Sequence, residues 1–307
     1  YGLIPMTEDI RDRPGLGHEN VVQLNFIRTG VPFLFRRHYR TGLRSHIMEV
    51  LNPVDVTAQE QGVMIDHVRW FPKAEPIRML RIFRTRFKDF GEAREELKRV
   101  RMVDQYLGPT HVARSEEFLV DYARGPGREM LLCGLQEYVK GERIDPWGRL
   151  DGEYLKTLMA RLHADTQAPL RPSPGTWLLQ VRHMARSFLT RIRRMIREKQ
   201  LIPDLAGVGN LMMTVSGNMK VVDINNISRI SAEPSIYLDD KGYPVCDKSV
   251  QALARIQEGL AGVPVDETDA LYRIFLEPGR LKRVENRVRT FHMNAGLSLS
   301  GSSYPRA

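Results

Sequence analysis

The sequence predicts an α+β protein in which a β-rich part precedes a mostly helical part. Apolar alternation typical of strands appears in "GVMIDHVRWF" and "PIRMLRIF", and again in "HVARSEEFLVDY" and "REMLLCGLQEYV". From about residue 146 onward the pattern is helical, interrupted by one short hairpin within "GNLMMTVSGNMKVVDINNIS". The chain has 307 residues, 42% of them hydrophobic, which suffices for one large domain or two modest ones.

Two helices have clear signals. The segment "DFGEAREELKRVRMVDQYLG" places its apolar residues on one side and ends at Gly108. Residues 177–200 repeat apolar side chains at steps of three and four, the spacing of one buried helical face. Arginines occupy another face of that helix. This indicates either a core helix with a solvated basic face or an anion-binding surface.

Composition narrows the classes of function. The net charge of +9 and the pI near 9.7 are compatible with nucleic-acid binding, but no RNP, zinc-finger or helix-turn-helix signature is present, and an enzyme that handles phosphorylated ligands is equally compatible. No apolar run approaches the ~20 residues that cross a bilayer. Two cysteines cannot form a disulfide framework or a four-ligand zinc site. These features predict a cytoplasmic protein without membrane association.

The hairpin carries the strongest functional signal. Asn210 precedes its first strand and Asp223 follows its second, so the two side chains are expected at the same edge. An amide oxygen beside a carboxylate suits Mg²⁺. Asp204, in the loop "LIPDLAGVGN", lies within reach of that edge. The alternative is that Asn210 caps a turn and Asp223 begins a loop.

This ordered set resembles the protein-kinase-like superfamily, which includes small-molecule phosphotransferases of the aminoglycoside-kinase type and atypical bacterial kinases. The resemblance implies that Asn210 and Asp223 hold Mg²⁺ and that Asp204 orients or deprotonates the acceptor. "DIN" stands where the family has "DFG". The hinge whose backbone groups meet the adenine of ATP is matched by four consecutive residues: Gln136, Glu137, Tyr138 and Val139.

The amino half resembles the family less closely. Arg81 in "RMLRIF" stands where the phosphate-binding lysine belongs, and Glu96 on the following helix is its implied partner, with Glu95 as the fallback. The alternative is that these are surface charges. No G-x-G-x-x-G precedes the "RMLRIF" strand, and Asp204 stands six residues before Asn210 where the family has five.

The resemblance implies a two-lobed protein-kinase-like fold. Its expected parts are an N-terminal extension (1–54), an amino lobe with the hinge (55–145), a helical carboxy lobe (146–280) and a C-terminal tail (281–307). The expected function is ATP- and Mg²⁺-dependent transfer of the γ-phosphoryl group to a hydroxyl of a small-molecule or protein acceptor. The alternative is a weak or inactive pseudokinase that acts as a nucleotide-binding scaffold. A nucleic-acid binder that uses the arginine-rich helix is a third, less favoured possibility.

Overall fold

The computed structural model describes residues 9–27, 32–39, 44–124, 127–164 and 172–294. The chain divides into two compact units. Unit 1 contains the described residues within 1–98 and 114–138, and unit 2 contains those within 99–113 and 139–307.

Unit 1 is built mainly of strands. They are β1 (Leu34–Arg37), β2 (Ser45–Leu51), β3 (Val63–Ile65), β4 (Val68–Trp70), β5 (Arg78–Phe83), β6 (Ser115–Arg124) and β7 (Gly127–Glu137). Two helices, α1 (His18–Val22) and α2 (Pro53–Gln61), accompany them. A third helix, α3 (Phe90–His111), begins in unit 1 and ends in unit 2.

Among the described residues of unit 1, five strands form an antiparallel sheet in the order β1-β2-β5-β7-β6. Because paired residues share a face, Leu80 and Ile82 of β5 lie on the same side as Met48 and Cys133. These residues belong to one apolar cluster. The other face of the sheet therefore carries the alternate positions, including Arg81.

The segment 1–54, for which the sequence predicts an N-terminal extension, contributes to this sheet in its described part. Strands β1 and β2 lie within that segment, and Ile10 and Leu16 are buried in the same apolar cluster. Strand β2 shows no clear alternation of apolar and polar residues because it is buried along nearly its whole length, on both faces. The parts of the segment at 1–8, 28–31 and 40–43 lie outside the described residues.

The segment "GVMIDHVRWF" forms strands, as its alternation predicts, but these strands do not belong to the five-stranded sheet. It forms a separate hairpin of β3 and β4, with its turn at Asp66 and His67. Both turn residues have positive φ, 48° and 65°, which is the geometry of a tight turn between twisted strands. Asp and His tolerate this conformation better than β-branched residues do.

Helix α3 confirms the predicted glycine stop. The backbone leaves helical geometry at Gly108, with φ 64° and ψ 175°, and Pro109 follows. A last short turn then runs to His111, whose ring packs in unit 2 with Nδ1 at 3.1 Å from the Met219 carbonyl and Nε2 at 3.1 Å from Ser187 Oγ.

Unit 2 is mostly helical. Its helices are α4 (Gly152–Ala164), α5 (Pro174–Lys199), α6 (Val245–Gly259), α7 (Ala270–Phe275) and α8 (Pro278–Asn294). Its strands are β8 (Gly141–Ile144), β9 (Leu201–Pro203), β10 (Leu211–Thr214), β11 (Met219–Val221) and β12 (Ile227–Arg229). The predicted tail from 281 is helical to Asn294, and residues 295–307 lie outside the described part.

Helix α5 matches its prediction. Val181, Phe188 and Ile192 are buried in the large apolar cluster of unit 2, whereas Arg182 and Arg197 are exposed. Ser173 caps the helix through Oγ, which accepts from Thr176 N at 3.1 Å. The helix is therefore a core element with a solvated basic face.

The protein is an α+β protein, as the sequence predicts. None of the helices in the described ranges is both long and apolar enough to span a membrane.

Candidate functional site

Four strand ends converge within unit 2. Strands β10 and β11 form the predicted hairpin, with Leu211 opposite Val221, and Val222 N donates to the Asn210 carbonyl at 2.8 Å. Strands β9 and β12 form a second pair, with Pro203 opposite Ile227. The residues next to these ends are Asp204, Asn210, Asp223 and Asn226.

Asp204 is held firmly at the end of β9. Its backbone N donates to the Asn226 carbonyl at 2.8 Å, which extends the pairing of β9 with β12 by one residue. Its Oδ1 accepts from Ala206 N and from Gly207 N, both at 3.0 Å. Its Oδ2 accepts from Asn226 Nδ2 at 3.3 Å. The residue is only 6% exposed, so the position of its side chain is set by the loop and not by solvent.

The loop from Asp204 to Asn210 requires a glycine at position 207. Asn210 Nδ2 donates to the Asp204 carbonyl at 2.9 Å, so the asparagine side chain folds back across the loop. A Cβ on Gly207 would lie 2.4 Å from that Nδ2 and 2.8 Å from Cγ of the same side chain. Only glycine leaves room for Asn210 here without a shift.

The electrostatics of the site depend on its two carboxylates. Burial and, secondly, the negative charge of Asp223 together raise the pKa of Asp204 to about 6, against the lowering effect of the hydrogen bonds from Ala206, Gly207 and Asn226. A carboxyl group with such a pKa exchanges its proton close to neutral pH. Asp223 itself is partly exposed, and its Oδ1 accepts from Asn225 N at 3.4 Å.

A cation in this site would need amide oxygens or ligand oxygens as well as protein carboxylates. Within the described parts of the chain, no cluster of three or more His, Cys, Asp or Glu side chains could hold a metal ion. Two carboxylates beside an asparagine are nevertheless a donor set that suits Mg²⁺ bound together with substrate phosphates.

Sequence reasoning missed two residues of this site. Asn226 contacts Asp204 through both backbone and side chain, and the amides of "DINN" directly after Asp223 were a signal for it. Trp147 donates Nε1–H to the Ala206 carbonyl at 3.0 Å and so braces the loop that binds the Asp204 carboxylate. Nothing in the local pattern around Trp147 indicated this contact, because it joins residues 59 positions apart.

In unit 1, Arg81 occupies the middle of the sheet. It lies opposite Ile47 of β2 and opposite Gly134 of β7, and it is 3% exposed. Its Nη2 lies 3.5 Å from Ser45 Oγ, and its guanidinium lies 5.3 Å from the centre of the Phe83 ring. Arg81 is therefore buried on the sheet face opposite Leu80 and Ile82, which excludes the alternative of a surface charge.

The other predicted residues of unit 1 lie on two elements. Glu96 is half-buried on α3, whereas the fallback Glu95 is exposed and pairs with Lys98 at 2.5 Å. The hinge residues follow from the end of β7, where Gln136 pairs with Met79 and is 5% exposed. The hinge as predicted crosses the division of the chain: Gln136, Glu137 and Tyr138 end one unit, and Val139 begins the other.

Comparisons with known proteins add little. No family model matches the chain, and no curated protein matches it by sequence. The ROP18 kinase domain, solved in complex with AMP-PNP and sucrose, aligns with 87% of this chain and 83% of its own at 8% identity and a TM-score of 0.36. A TM-score of this size does not establish a shared fold, so the case for function depends on the geometry of the site.

Proposed function

We propose that this protein is an ATP- and Mg²⁺-dependent phosphotransferase of the kinase-like type, which moves the γ-phosphoryl group to a hydroxyl of a small molecule or a protein. The observation that carries the proposal is the convergence of Asp204, Asn210 and Asp223 at the ends of two strand pairs, with the pKa of Asp204 raised to about 6. A general base needs a pKa near the working pH, and burial beside a second carboxylate supplies it.

Each residue has a distinct role in this proposal. Asp223 and Asn210 Oδ1 would hold Mg²⁺, and the ion would supply positive charge to neutralise the phosphates of the nucleotide. Asp204 accepts the proton of the acceptor hydroxyl, and its two backbone hydrogen bonds keep Oδ1 in place while Oδ2 receives the proton. Trp147 and Asn226 keep the loop in the required geometry.

Unit 1 supports the proposal through its topology. Arg81 lies on the third of the five sheet strands in chain order, and helix α3 follows that strand directly. Kinases place their phosphate-binding cation on the third strand and its carboxylate partner on the next helix. Arg81 would bind the α- and β-phosphates with a planar head, and Glu96 would be its partner. The hinge at 136–139 would receive adenine.

A second candidate is a nucleotide-binding scaffold without turnover. The burial of Asp204 favours it, because a carboxylate that is 6% exposed and accepts three hydrogen bonds has little access to an acceptor. The arginine at position 81 in place of lysine points the same way.

The deciding experiment measures binding and turnover separately. Nucleotide binding is followed by thermal shift with ATP, with and without Mg²⁺, and turnover by release of labelled phosphate. We expect Asp223→Ala to abolish Mg²⁺-dependent binding and Asn210→Ala to weaken it less. Asp204→Asn should retain binding and lose turnover by a factor on the order of 10² or more. The exposed Asp240→Asn is the matched control and should change neither.

Three outcomes would decide against the proposed roles. Unchanged ATP affinity of Asp223→Ala in Mg²⁺ would remove the metal site. Full turnover by Asp204→Asn would place the base elsewhere. Binding by the wild type without turnover of any acceptor would favour the scaffold.

A further inference from the structure

The turn between β8 and α4 is fixed to helix α6 by a single side chain. Arg255 Nε donates to the Pro146 carbonyl at 2.6 Å, and Nη2 donates to the carbonyls of Trp147 and Gly148 at 3.3 Å and 3.0 Å. Pro146 and Arg255 are 109 positions apart in the chain. A guanidinium can make these three contacts at once because its N–H donors form a rigid, planar fork. Arg255 therefore holds three consecutive peptide groups of the turn.

The turn is also closed by its own hydrogen bonds. Asp145 Oδ1 accepts from Trp147 N at 2.9 Å, and Gly148 N donates to the Asp145 carbonyl at 3.2 Å, so the chain reverses within a few residues. Helix α6 approaches closely at its last residue, because a Cβ on Gly259 would lie 2.4 Å from Leu150 Cβ. Trp147, in the middle of the turn, thus has a defined position relative to α6.

Trp147 connects this turn to the loop that holds Asp204. Its Nε1–H donates to the Ala206 carbonyl at 3.0 Å, and Ala206 N donates to Asp204 Oδ1 at 3.0 Å. A second cation of α6, Lys248, lies with Nζ 5.1 Å from the centre of the Trp147 ring and is attracted to its face. A continuous series of contacts therefore runs from Arg255 through Trp147 and Ala206 to the Asp204 carboxylate.

Helix α6 contacts the same loop at a second point. Ser249, which is fully buried, accepts through Oγ from Leu205 N at 3.2 Å. The helix thus holds Leu205 directly and Ala206 through Trp147. The peptide of Ala206 matters more for the carboxylate, because its N–H is one of the two backbone donors to Asp204 Oδ1.

We propose that Arg255 is a positioning residue for Asp204, and that it acts through Trp147 on the Ala206 peptide. The role of Asp204 as a base comes from the proposed function, on which this inference rests. Loss of Arg255 would release the turn, let the indole move away from the Ala206 carbonyl and turn the Ala206 N–H away from the carboxylate. A small misplacement of a catalytic group can lower the rate by a factor of about 10².

The alternative role of Arg255 is general stabilisation of unit 2, and the chain offers an internal control for it. Trp177 Nε1–H donates to the Val215 carbonyl at 3.0 Å, which is an indole hydrogen bond of the same kind and length. Trp177 belongs to the same unit but to helix α5. A general loss of stability would expose both indoles to exchange, whereas release of the turn would expose Trp147 alone.

The test measures hydrogen exchange by heteronuclear NMR and ATP turnover by release of labelled phosphate, both on the full chain. In Arg255→Met, the Trp147 indole and the Ala206 amide should exchange at least about tenfold faster, and the Trp177 indole should be unchanged. The value of kcat should fall at least about tenfold while KM for ATP stays within about twofold, because the proposed metal ligands are untouched. Arg255→Lys, whose compact ammonium cannot span three carbonyls, should recover only part of both effects.

Two further variants keep the test decisive. Arg194→Met removes an exposed arginine of α5 that pairs with Glu198 at 2.9 Å, and it should change neither the exchange rates nor kcat. Trp147→Phe removes the indole N–H and leaves Arg255 in place. It should reproduce the faster exchange of Ala206 and the fall in kcat, and it replaces Arg255→Met if that variant does not fold.

The proposal is wrong if the Trp147 indole and the Ala206 amide exchange in Arg255→Met as in wild type, or if the Trp177 indole exchanges faster to the same extent. It is also wrong if kcat is unchanged while the turn is released, because Arg255 then holds the turn without positioning the base. A wild type without ATP turnover would contradict the proposed function instead, and the exchange rates would still decide whether Arg255 orients the Ala206 N–H on Asp204.

Discussion

Asp9 in unit 1 and Asp204 in unit 2 are both almost fully buried, at 2% and 6% exposure, yet their pKa values move in opposite directions. Burial alone would raise the pKa of Asp9, but the hydrogen bonds and charge of Arg11, with the charge of Arg86, lower it to about 2. Burial and the charge of the neighbouring Asp223 together raise the pKa of Asp204 to about 6.

The difference lies in the charge of the nearest partners. Arg11 Nη2 lies 2.7 Å from Asp9 Oδ2, and Nε of the same guanidinium lies 3.0 Å from Oδ1. Asp204 instead accepts hydrogen bonds from neutral groups, which are the backbone N–H of Ala206 and of Gly207 and the side-chain amide of Asn226. A buried carboxylate paired with a cation favours its charged form in the folded protein, whereas a buried carboxylate beside another carboxylate favours a proton or a bound cation. The first arrangement is structural, and the second is suited to a functional site.

The largest effect is expected when the compensation in unit 1 is removed. Arg11→Met leaves the Asp9 charge buried without its main partner, and we expect a loss of about 3–5 kcal/mol in the free energy of unfolding. Urea unfolding, with hydrogen exchange of β7 amides as the report on unit 1, measures it. The double variant Asp9→Asn with Arg11→Met is the control and should recover much of the loss. If Arg11→Met lowers the free energy of unfolding by less than about 1 kcal/mol, the ion pair with Arg11 is not what keeps Asp9 buried.

In unit 2, replacing the buried carboxylate of Asp204 should raise the free energy of unfolding instead of lowering it. Asp204→Asn removes a carboxylate that the folded state prefers protonated, so we expect about 1–3 kcal/mol of added stability at pH 8 without metal, because each pKa unit corresponds to about 1.4 kcal/mol. The same urea experiment measures it, with the exposed Asp240→Asn as control. Destabilisation by Asp204→Asn would mean that its hydrogen bonds outweigh the repulsion.

The pH dependence separates the two carboxylates further. The pKa of Asp204 is raised from 3.8 to about 6, so its contribution to stability falls as the pH rises from about 4 to 6. The pKa of Asp9 is lowered from 3.8 to about 2, so its contribution falls as the pH drops from about 4 to 2. The difference in unfolding free energy between wild type and each Asp→Asn variant, measured against pH, should show these opposite slopes. Equal slopes would contradict the comparison.

The buried guanidinium of Arg81 in unit 1 can be tested through its effect on nucleotide binding. Arg81→Ala is expected to weaken nucleotide binding by roughly 1–3 kcal/mol, the range for a charge-assisted hydrogen bond. Glu96→Gln should share most of that loss, and the double variant should lose clearly less than the sum. Isothermal titration with ATP and Mg²⁺ measures the cycle.

A parallel cycle with Glu117 identifies the partner of Arg81. Glu117 is half-buried on β6 and lies opposite Gly134, which itself lies opposite Arg81, so the missing side chain of Gly134 leaves room above it. If the effect of Arg81→Ala is coupled to substitution of Glu117 and additive with Glu96→Gln, the partner of Arg81 is Glu117 on β6 and not Glu96 on helix α3. Additivity in both cycles would remove the assignment of a carboxylate to Arg81.

The smallest effect is expected at the exposed pair of Glu95 with Lys98. Their side chains are 61% and 54% exposed, so water and salt screen the contact. Glu95→Gln should change the free energy of unfolding by less than about 0.5 kcal/mol and leave nucleotide binding unchanged. A larger loss of binding would reinstate Glu95 as the partner of the Arg81 cation.

Local patterns were sufficient for much of the fold. The helical spacing of residues 177–200, the glycine stop at Gly108 and the turn "SGN" of the β10–β11 hairpin are all visible over a few residues, and each is confirmed. The hairpin also determined which ends Asn210 and Asp223 share, because an antiparallel pair returns the chain to its start.

Tertiary structure alone decided the rest. Strand β2 lacks alternation because both of its faces are buried, so its place in the sheet depends on distant strands and on the apolar segment from Ile10 to Leu24. The sequence does not predict the opposite pKa shifts of Asp9 and Asp204 either, because burial and neighbouring charge come from packing and not from residue type. Sequence therefore determined which side chains were available for chemistry, and the contacts made on folding determined their charge.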